Sequence, residues 1–348
     1  MPDEYFAVIL EFNSCEIKLG FAGEASEHVR LTLRSPIWKN LVPPITSSLS
    51  LPSFLQIDSH AIPNNLRTEI LRELSESKTY SNMLQAYNKD QRDLKWFAWG
   101  LDNFHTLATI VKVLLHTRLL VSPLLTKLFV IDRSMSALEK STFCKKFLMM
   151  RTTASVTFLP YSPCCCVGAG VENALVVSLE WESCKVVPVV DLRSLPAKEY
   201  IQFSGEATHY SPLIPHDAKS FEDIEIEIQT NEKILEAAFF SENSLPKAIA
   251  ALIQTLELDC RACVVANIIF TGLRSDIPGM KGRFLSEAST FFPKCNVAGK
   301  ISLGAWSGAS LYCSTTLLNE ESSKWKHMEI SRVNFEKTAS AALEAYYS

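Results

Sequence analysis

The chain has 348 residues, of which 47% are hydrophobic and 21% charged, with a net charge of −4. That size and apolar content fit two domains or one large bilobed fold and exclude a disordered chain. The slight acidic excess, with no run of Lys and Arg, excludes a general binder of nucleic acid or acidic membrane.

The opening MPDEYF is acidic and has no positively charged region, so no secretory signal is expected. An apolar strand (Phe6–Leu10), a polar turn and a second strand (Ile17–Phe21) follow, ending in Gly20-Phe21-Ala22-Gly23. This is the pattern of a hairpin that could hold a phosphate. Pro36–His60 is irregular and carries four prolines, and Asn65–Glu76 reads as a polar helix. The most apolar stretch, Leu107–Ile131, contains Lys112, His116, Arg118, Pro123 and Lys127 and is therefore not a membrane span. It predicts an amphipathic helix from about Phe104 to Leu120, a turn at Ser122-Pro123 and a buried strand over Leu128–Ile131.

A helix from about Ala137 to Met150 and a β-branched run, Ser155–Leu159, come next. Ala174–Leu179 and Lys185–Val190 predict a second hairpin, about half a chain from the first. Gly205–Asp223 is polar and irregular. Leu245–Leu256 predicts a helix capped by Ser244 with Pro246 in its first turn. Val264–Phe270 reads as a strand ending in Thr271-Gly272, Lys281–Thr290 as a helix, and Trp306–Leu318 as a helix rich in small residues. Alternating strands and helices give an α/β fold, and one hairpin in each half is the mark of a duplicated domain.

Ten cysteines without a signal peptide predict free thiols in a reducing compartment. Cys164-Cys165-Cys166 sits in an apolar run, where cysteine packs as a small hydrophobe. Cys260-Arg-Ala-Cys263 has CxxC spacing, but only the isolated Cys295 and Cys313 follow it, so no metal site is assigned. The histidines are scattered, and no GxSxG, Walker A or HExxH motif is present.

The segment from Ile9-Leu10-Glu11 through Lys18-Leu19-Gly20-Phe21-Ala22-Gly23 resembles, without a gap, the first phosphate loop of actin and its relatives. Leu101–Pro123 and the LFVIDRSMSALEKSTF that follows it resemble the helix, turn, third strand and next helix of the family's first lobe. Asn267–Gly279 resembles the nucleotide-side loop of the second lobe, and Ala305–Leu311 the small-residue helix near the C-terminus. The resemblance implies the bilobed actin/Hsp70-type ATPase fold, two ribonuclease H-like lobes with reduced outer subdomains. Lobe one would comprise 1–168 and 305–348, with an outer subdomain at about 36–94. Lobe two would be 169–304, with a shortened outer subdomain at about 205–244.

In that family two hairpins clamp the nucleotide phosphates through glycines and one metal-ordering carboxylate each. Here Glu11 stands in place of an aspartate, and Asn13 and Cys15 in place of glycines, where their side chains would intrude on a phosphate and disfavour the turn. Ser14 and Lys18 fit the pattern; apart from the resemblance they read as a turn former and a solvated strand lysine. In the second loop Ser178 replaces the aspartate, Glu180 and Glu182 replace glycines, and Trp181 an acidic residue. Tyr161 stands where the family positions the attacking water with a glutamine, and Thr271-Gly272 keeps one of two glycines. Glu16 and Glu24 flank the first hairpin as a solvated face. Phosphoryl transfer rests on positioning and electrostatics, so the resemblance implies no enzyme activity, no catalytic residues and no metal. Weak ATP or ADP binding through Ser14 and Lys18 is left open.

Gly20–Glu24, Arg118–Pro123, Phe158–Pro163 with Val167–Val176, and Ala305-Trp306 look most like the actin-related group at the pointed end of the dynactin complex. The expectation is then a cytoplasmic, cytoskeletal scaffold that caps an actin-like filament. Its partners would be the filament subunits and pointed-end accessory subunits and, indirectly, cytoplasmic dynein. Trp38, Phe54, Trp96 and Phe97 are candidate anchors. The rival expectations are an actin-related subunit of a nuclear chromatin-remodelling complex and an actin-family protein with residual ATPase activity.

Overall fold

The computed structural model describes residues 5–13, 16–32, 104–180, 183–195, 200–203, 236–241, 244–272, 275, 279–317 and 328–335. The predicted helix at Asn65–Glu76, the two irregular segments and the four aromatic anchors lie outside the described residues. Two compact units emerge, one of Met1–Tyr161 with Ala309–Ser348 and one of Ser162–Gly308. Both are α/β, and each is built on a mixed sheet.

In the first unit, β1 (Phe6–Phe12) pairs antiparallel with β2 (Glu16–Phe21), which pairs antiparallel with β3 (Val29–Thr32). After α1 (Phe104–Thr117), β4 (Thr126–Asp132) lies parallel to β1. After α2 (Ala137–Met149), β5 (Ser155–Pro160) lies parallel to β4. The apolar run Leu128–Ile131 is buried throughout, as expected of a parallel strand covered on both faces. The start of α2 is set by a capping box: the Ser136 hydroxyl accepts from the Glu139 N–H, and the Glu139 carboxylate accepts from the Ser136 N–H. The core is aromatic, with Phe143 stacked on Phe12 and Phe147 and edge-on to Phe104.

Helix α3 (Tyr161–Ala169) follows β5 and leads into the second unit. There β6 (Ala174–Leu179) pairs antiparallel with β7 (Ser183–Val190), and β7 pairs antiparallel with β8 (Arg193–Ser194) and β9 (Tyr200–Phe203). A π-helical turn at Glu236–Phe240 precedes α4 (Leu245–Gln254) and α5 (Leu258–Val265). Strand β10 (Ile268–Thr271) lies parallel to β6. After α6 (Met280–Phe291), β11 (Gly299–Lys300) lies parallel to β10.

The two sheets therefore share one strand order. In each, the first hairpin strand is flanked by a parallel strand and then by a second parallel one. The second hairpin strand is flanked by antiparallel partners. The first unit adds β12 (Ile330–Ser331), antiparallel at the outer edge of β5. The hairpins noted in the sequence occupy equivalent places in the two sheets.

Several boundaries differ from the sequence expectation. The helix expected at Leu245–Leu256 ends at Gln254, and Val264-Val265 close a separate helix, α5, rather than opening a strand. The Ser244 cap is as expected, accepting from the Lys247 N–H at 3.3 Å. The expected Trp306–Leu318 helix is α-helical only over Ala305–Tyr312 (α7) and continues as a π-helix over Cys313–Leu317. The hydroxyls of Ser314 and Thr315 both donate to the Leu311 carbonyl there, which competes with the regular ladder.

Cys164, Cys165 and Cys166 are buried in α3, and the nine described cysteines are free thiols. Burial pushes the thiols of Cys144, Cys166 and Cys313 up to about 12, so they act as apolar packing groups. Among the described residues no helix is long and apolar enough to cross a membrane.

The small-residue helix has a specific reason to be small. A Cβ on Gly308 would lie 1.9 Å from the Cys164 carbonyl oxygen in α3, so the two helices meet backbone to backbone. Gly308→Ala is expected to lower the free energy of unfolding by about 3 kcal/mol, measured by denaturant titration, because the clash is with main chain and cannot be relieved by a rotamer change.

Candidate functional site

The first hairpin closes differently from the expectation. Asn13 does not disfavour the turn. Its side-chain oxygen accepts the Glu16 N–H at 2.8 Å, and its own N–H donates to the Glu16 carbonyl. An asparagine makes this local bond where a glycine would only permit the turn. Ser14 and Cys15, between them, lie outside the described residues. The next turn, Ala22-Gly23, has Gly23 at a φ of +94°. There the Ser310 hydroxyl accepts the Gly23 N–H and donates to the Glu24 carbonyl, tying the turn to α7.

The register places Glu11 opposite Lys18, and Lys18 opposite Arg30. Glu11 is 2% exposed. Its Oε2 meets the Lys18 ammonium at 3.4 Å and its Oε1 is paired with the Arg133 guanidinium. Lys18 also reaches Glu16 Oε1 at 2.9 Å, and Arg30 binds Glu16 Oε2 at 2.9 Å. The expectations of a solvated lysine and a solvated Glu16 are therefore corrected: Lys18 is half-buried between two carboxylates, and Glu16 is buried. Glu24 is exposed. The physical reason is the hairpin register, which brings opposite charges together across the strands.

Arg133 is aimed by the turn that ends β4. Asp132 Oδ1 accepts the N–H groups of Ser134 and Met135, and Ser134 sits at a φ of +96°. That conformation is costly for a residue with a side chain and persists because the surroundings hold it. Lys140 fixes the other Asp132 oxygen at 2.6 Å. Tyr161, at the start of α3, is buried, and its ring lies 4.0 Å from the Arg133 guanidinium. Its aromatic face is thus engaged with a cation, a role the glutamine comparison does not suggest.

Burial opposes the charge on Glu16, but Lys18 and Arg30 outweigh it and hold the carboxyl below the usual glutamate value of 4.5. Burial likewise opposes the charge on Lys18, and Glu11 and Glu16 outweigh it and raise its value. Each cation of the hairpin is thus already matched by a carboxylate of the chain.

The second unit has a similar frame with different chemistry. Ser178 and Thr271 are register partners on β6 and β10. Ser178 is buried and donates from its hydroxyl to Glu180 Oε1 at 2.8 Å. Gly272 has a φ of +88°, and a Cβ there would lie 2.6 Å from the Leu179 carbonyl oxygen and 3.0 Å from Glu180 Oε1. The structure thus gathers Ser178, Glu180, Thr271 and Gly272 at one end of adjacent strands. Trp181 and Glu182 lie outside the described residues. The space beside Gly272 is filled by the chain itself, and the nearest side-chain acceptor is a carboxylate, which repels anions.

One further grouping of potential metal ligands, Glu257, Asp259 and Cys260, lies at the start of α5. Its two acidic side chains are exposed, as is common in a first helical turn, where they complement the helix dipole. Sequence reasoning missed Arg133, Arg30 and the burial of Glu16. Arg133 is 122 residues from Glu11, beyond any local period; the only signal was an arginine two residues past the buried apolar run that ends at Ile131.

Two outcomes follow from this geometry. Glu11→Gln is expected to lower stability by about 3 kcal/mol by urea titration, because it leaves two cations short of a buried partner. The Glu16 contribution to stability is complete above its ordinary value of 4.5 and is lost as pH falls through the lowered folded value. Thermal unfolding from pH 6 down to about pH 3 is thus expected to show a loss that is smaller in Glu16→Gln.

Neither the family models nor the curated proteins compared with this chain give a match.

Proposed function

We propose that this chain is a non-catalytic actin-related scaffold. It caps the pointed end of the actin-like filament of dynactin and links accessory subunits that serve dynein-driven transport. The observation that carries this reading is the repeated strand order. Two units carry equivalent hairpins on equivalent sheets, and the positions that would face phosphate in the actin family are spent on internal contacts. Glu11 and Lys18 are paired with each other. Ser178 is bonded to Glu180. The Tyr161 ring covers Arg133. Phosphoryl transfer needs glycine-lined backbone donors and metal-ordering carboxylates held free for the ligand. A fold retained without that chemistry is best suited to offering surfaces to partners. The segment resemblances at Gly20–Glu24, Arg118–Pro123 and Ala305-Trp306 favour the pointed-end group over other actin-related proteins.

Affinity purification of the tagged full chain, with identification and counting of its partners, tests this reading. The expected outcome is one copy of the chain per actin-like filament, together with pointed-end accessory subunits. Several copies within the filament, recovery of a chromatin-remodelling complex, or tight binding and turnover of magnesium ATP by the purified chain would each overturn it.

A further inference from the structure

We propose that the neighbouring C-terminal ends of α1 and α2 form a docking surface for a short acidic amphipathic segment of a partner protein, one that offers carboxylates and apolar side chains together. The inference goes beyond the scaffold reading and stands whether or not the chain caps a filament.

The first observation is charge. No Asp or Glu occurs from Phe104 to Ile131 or from Lys140 to Val171. Lys112, Arg118, Lys145, Lys146 and Arg151 fall in those stretches, and none of the five forms an ion pair with a described residue. Lys18, Arg30 and Lys127 in the sheet are each matched by a carboxylate. The five cations are gathered at one end of the unit. The Lys112 ammonium donates to the Met150 carbonyl at 3.1 Å, which sets the last turns of α1 beside the end of α2. The turns after the two helices enter adjacent strands, where the Ala154 N–H donates to the Thr126 carbonyl at 2.8 Å. Glu329, at the start of the same strands, is already engaged by Lys127 and Ser155.

The second observation is strain. Both helices end in a left-handed residue, and neither is glycine: Leu120 has a φ of +56° and Arg151 a φ of +53°. The end of α2 has the bonds of a glycine-type cap, from the Arg151 N–H to the Leu148 carbonyl and from the Thr152 N–H to the Phe147 carbonyl. Glycine at either position would keep the backbone without the steric cost. Leu120 is moreover 79% exposed, so it bears that cost while holding an apolar side chain in water. Cations near a helix C-terminus complement its dipole, which accounts for Lys112 but not for an exposed leucine. Retained strain of this kind points to a use for the side chain.

The third is the mixture of chemistries. Leu124 is 53% and Met149 41% exposed, and Met149 lies one helical turn from Lys145 and Lys146 on α2. Apolar groups thus stand among unmatched cations. An acidic segment that also carries apolar side chains meets both. A nucleic acid or an anionic bilayer would extend past the patch over a chain whose net charge is −4, which repels it. A phosphate backbone would also leave the leucines uncovered.

The experiment titrates the purified full chain with a labelled amphipathic helical peptide of Glu and Leu. Saturable binding that weakens with added salt is expected, and it should fall about tenfold or more in Lys145→Glu/Lys146→Glu. Leu120→Gly and Arg151→Gly should also bind less, while unfolding at the wild-type temperature or above it. Absence of binding, or equal binding by the charge-reversed variant, would overturn the proposal. Equal binding of an all-Glu peptide would overturn the apolar half of the surface. Tighter binding of phosphatidylserine vesicles or single-stranded RNA, lost in the same variants, would overturn the assigned occupant. A glycine variant that unfolds below the wild-type temperature would show that its side chain serves the fold and overturn its place in the surface. Failure of the scaffold reading would appear in the partner counts and would leave this result unchanged.

Discussion

A carboxylate buried in a β-sheet is tolerable only if its charge is met, and Glu11 sets that condition for the first unit. Its two oxygens are met by Lys18 and Arg133, and the need to keep both in place reaches outward through the structure. Lys18 must stand opposite Glu11 in the hairpin register. Arg133 must leave β4 in a turn that forces Ser134 into the left-handed region. Tyr161 must begin α3 with its ring against the guanidinium. An unpaired ion at this depth would cost several kcal/mol, more than any single adjustment the surroundings make to accommodate it.

The second unit shows that the frame does not dictate this solution. Its sheet has the same strand order, yet the corresponding hairpin ends in a hydroxyl-to-carboxylate bond from Ser178 to Glu180 and a glycine packed against the Leu179 carbonyl. Glu180 is only half-buried, so it does not impose the demand that Glu11 does. Strand order belongs to the sheet and its crossovers, whereas chemistry belongs to the few side chains at strand ends. The two units preserve the first and differ in the second.

Elements with a strong local signal were legible in the sequence. The β1–β2 and β6–β7 hairpins, α1, α2, α6 and the capped start of α4 follow from apolar periodicity, Ser caps and Pro or Gly punctuation. Elements that depend on a distant neighbour were not. β11 and β12 are two-residue strands that exist only because β10 and β5 offer edges for them to pair with. α3 contains Tyr161-Ser162-Pro163 and three cysteines, a composition that reads as a buried run of either kind. α7 loses its regular ladder after Tyr312, where hydroxyl competition by Ser314 and Thr315 accompanies the shift to a π-turn. That shift is a matter of side-chain rotamer rather than propensity.

Strand alternation, turn chemistry and the identity of a side chain are local properties. The linear order of residues was therefore enough for the α/β class, for one hairpin in each half, and for the identities of Glu11, Asn13, Ser178 and Glu180 in and beside those hairpins. What those side chains pair with is not local and became visible only in three dimensions. Asn13 closes the turn it was expected to disturb, Lys18 and Glu16 are paired rather than solvated, and Arg133 completes the set from the end of a strand far along the chain. The cost of a buried charge is settled by whatever lies within a few ångströms, and parallel pairing of β1 with β4 brings there a residue that no local pattern could have placed.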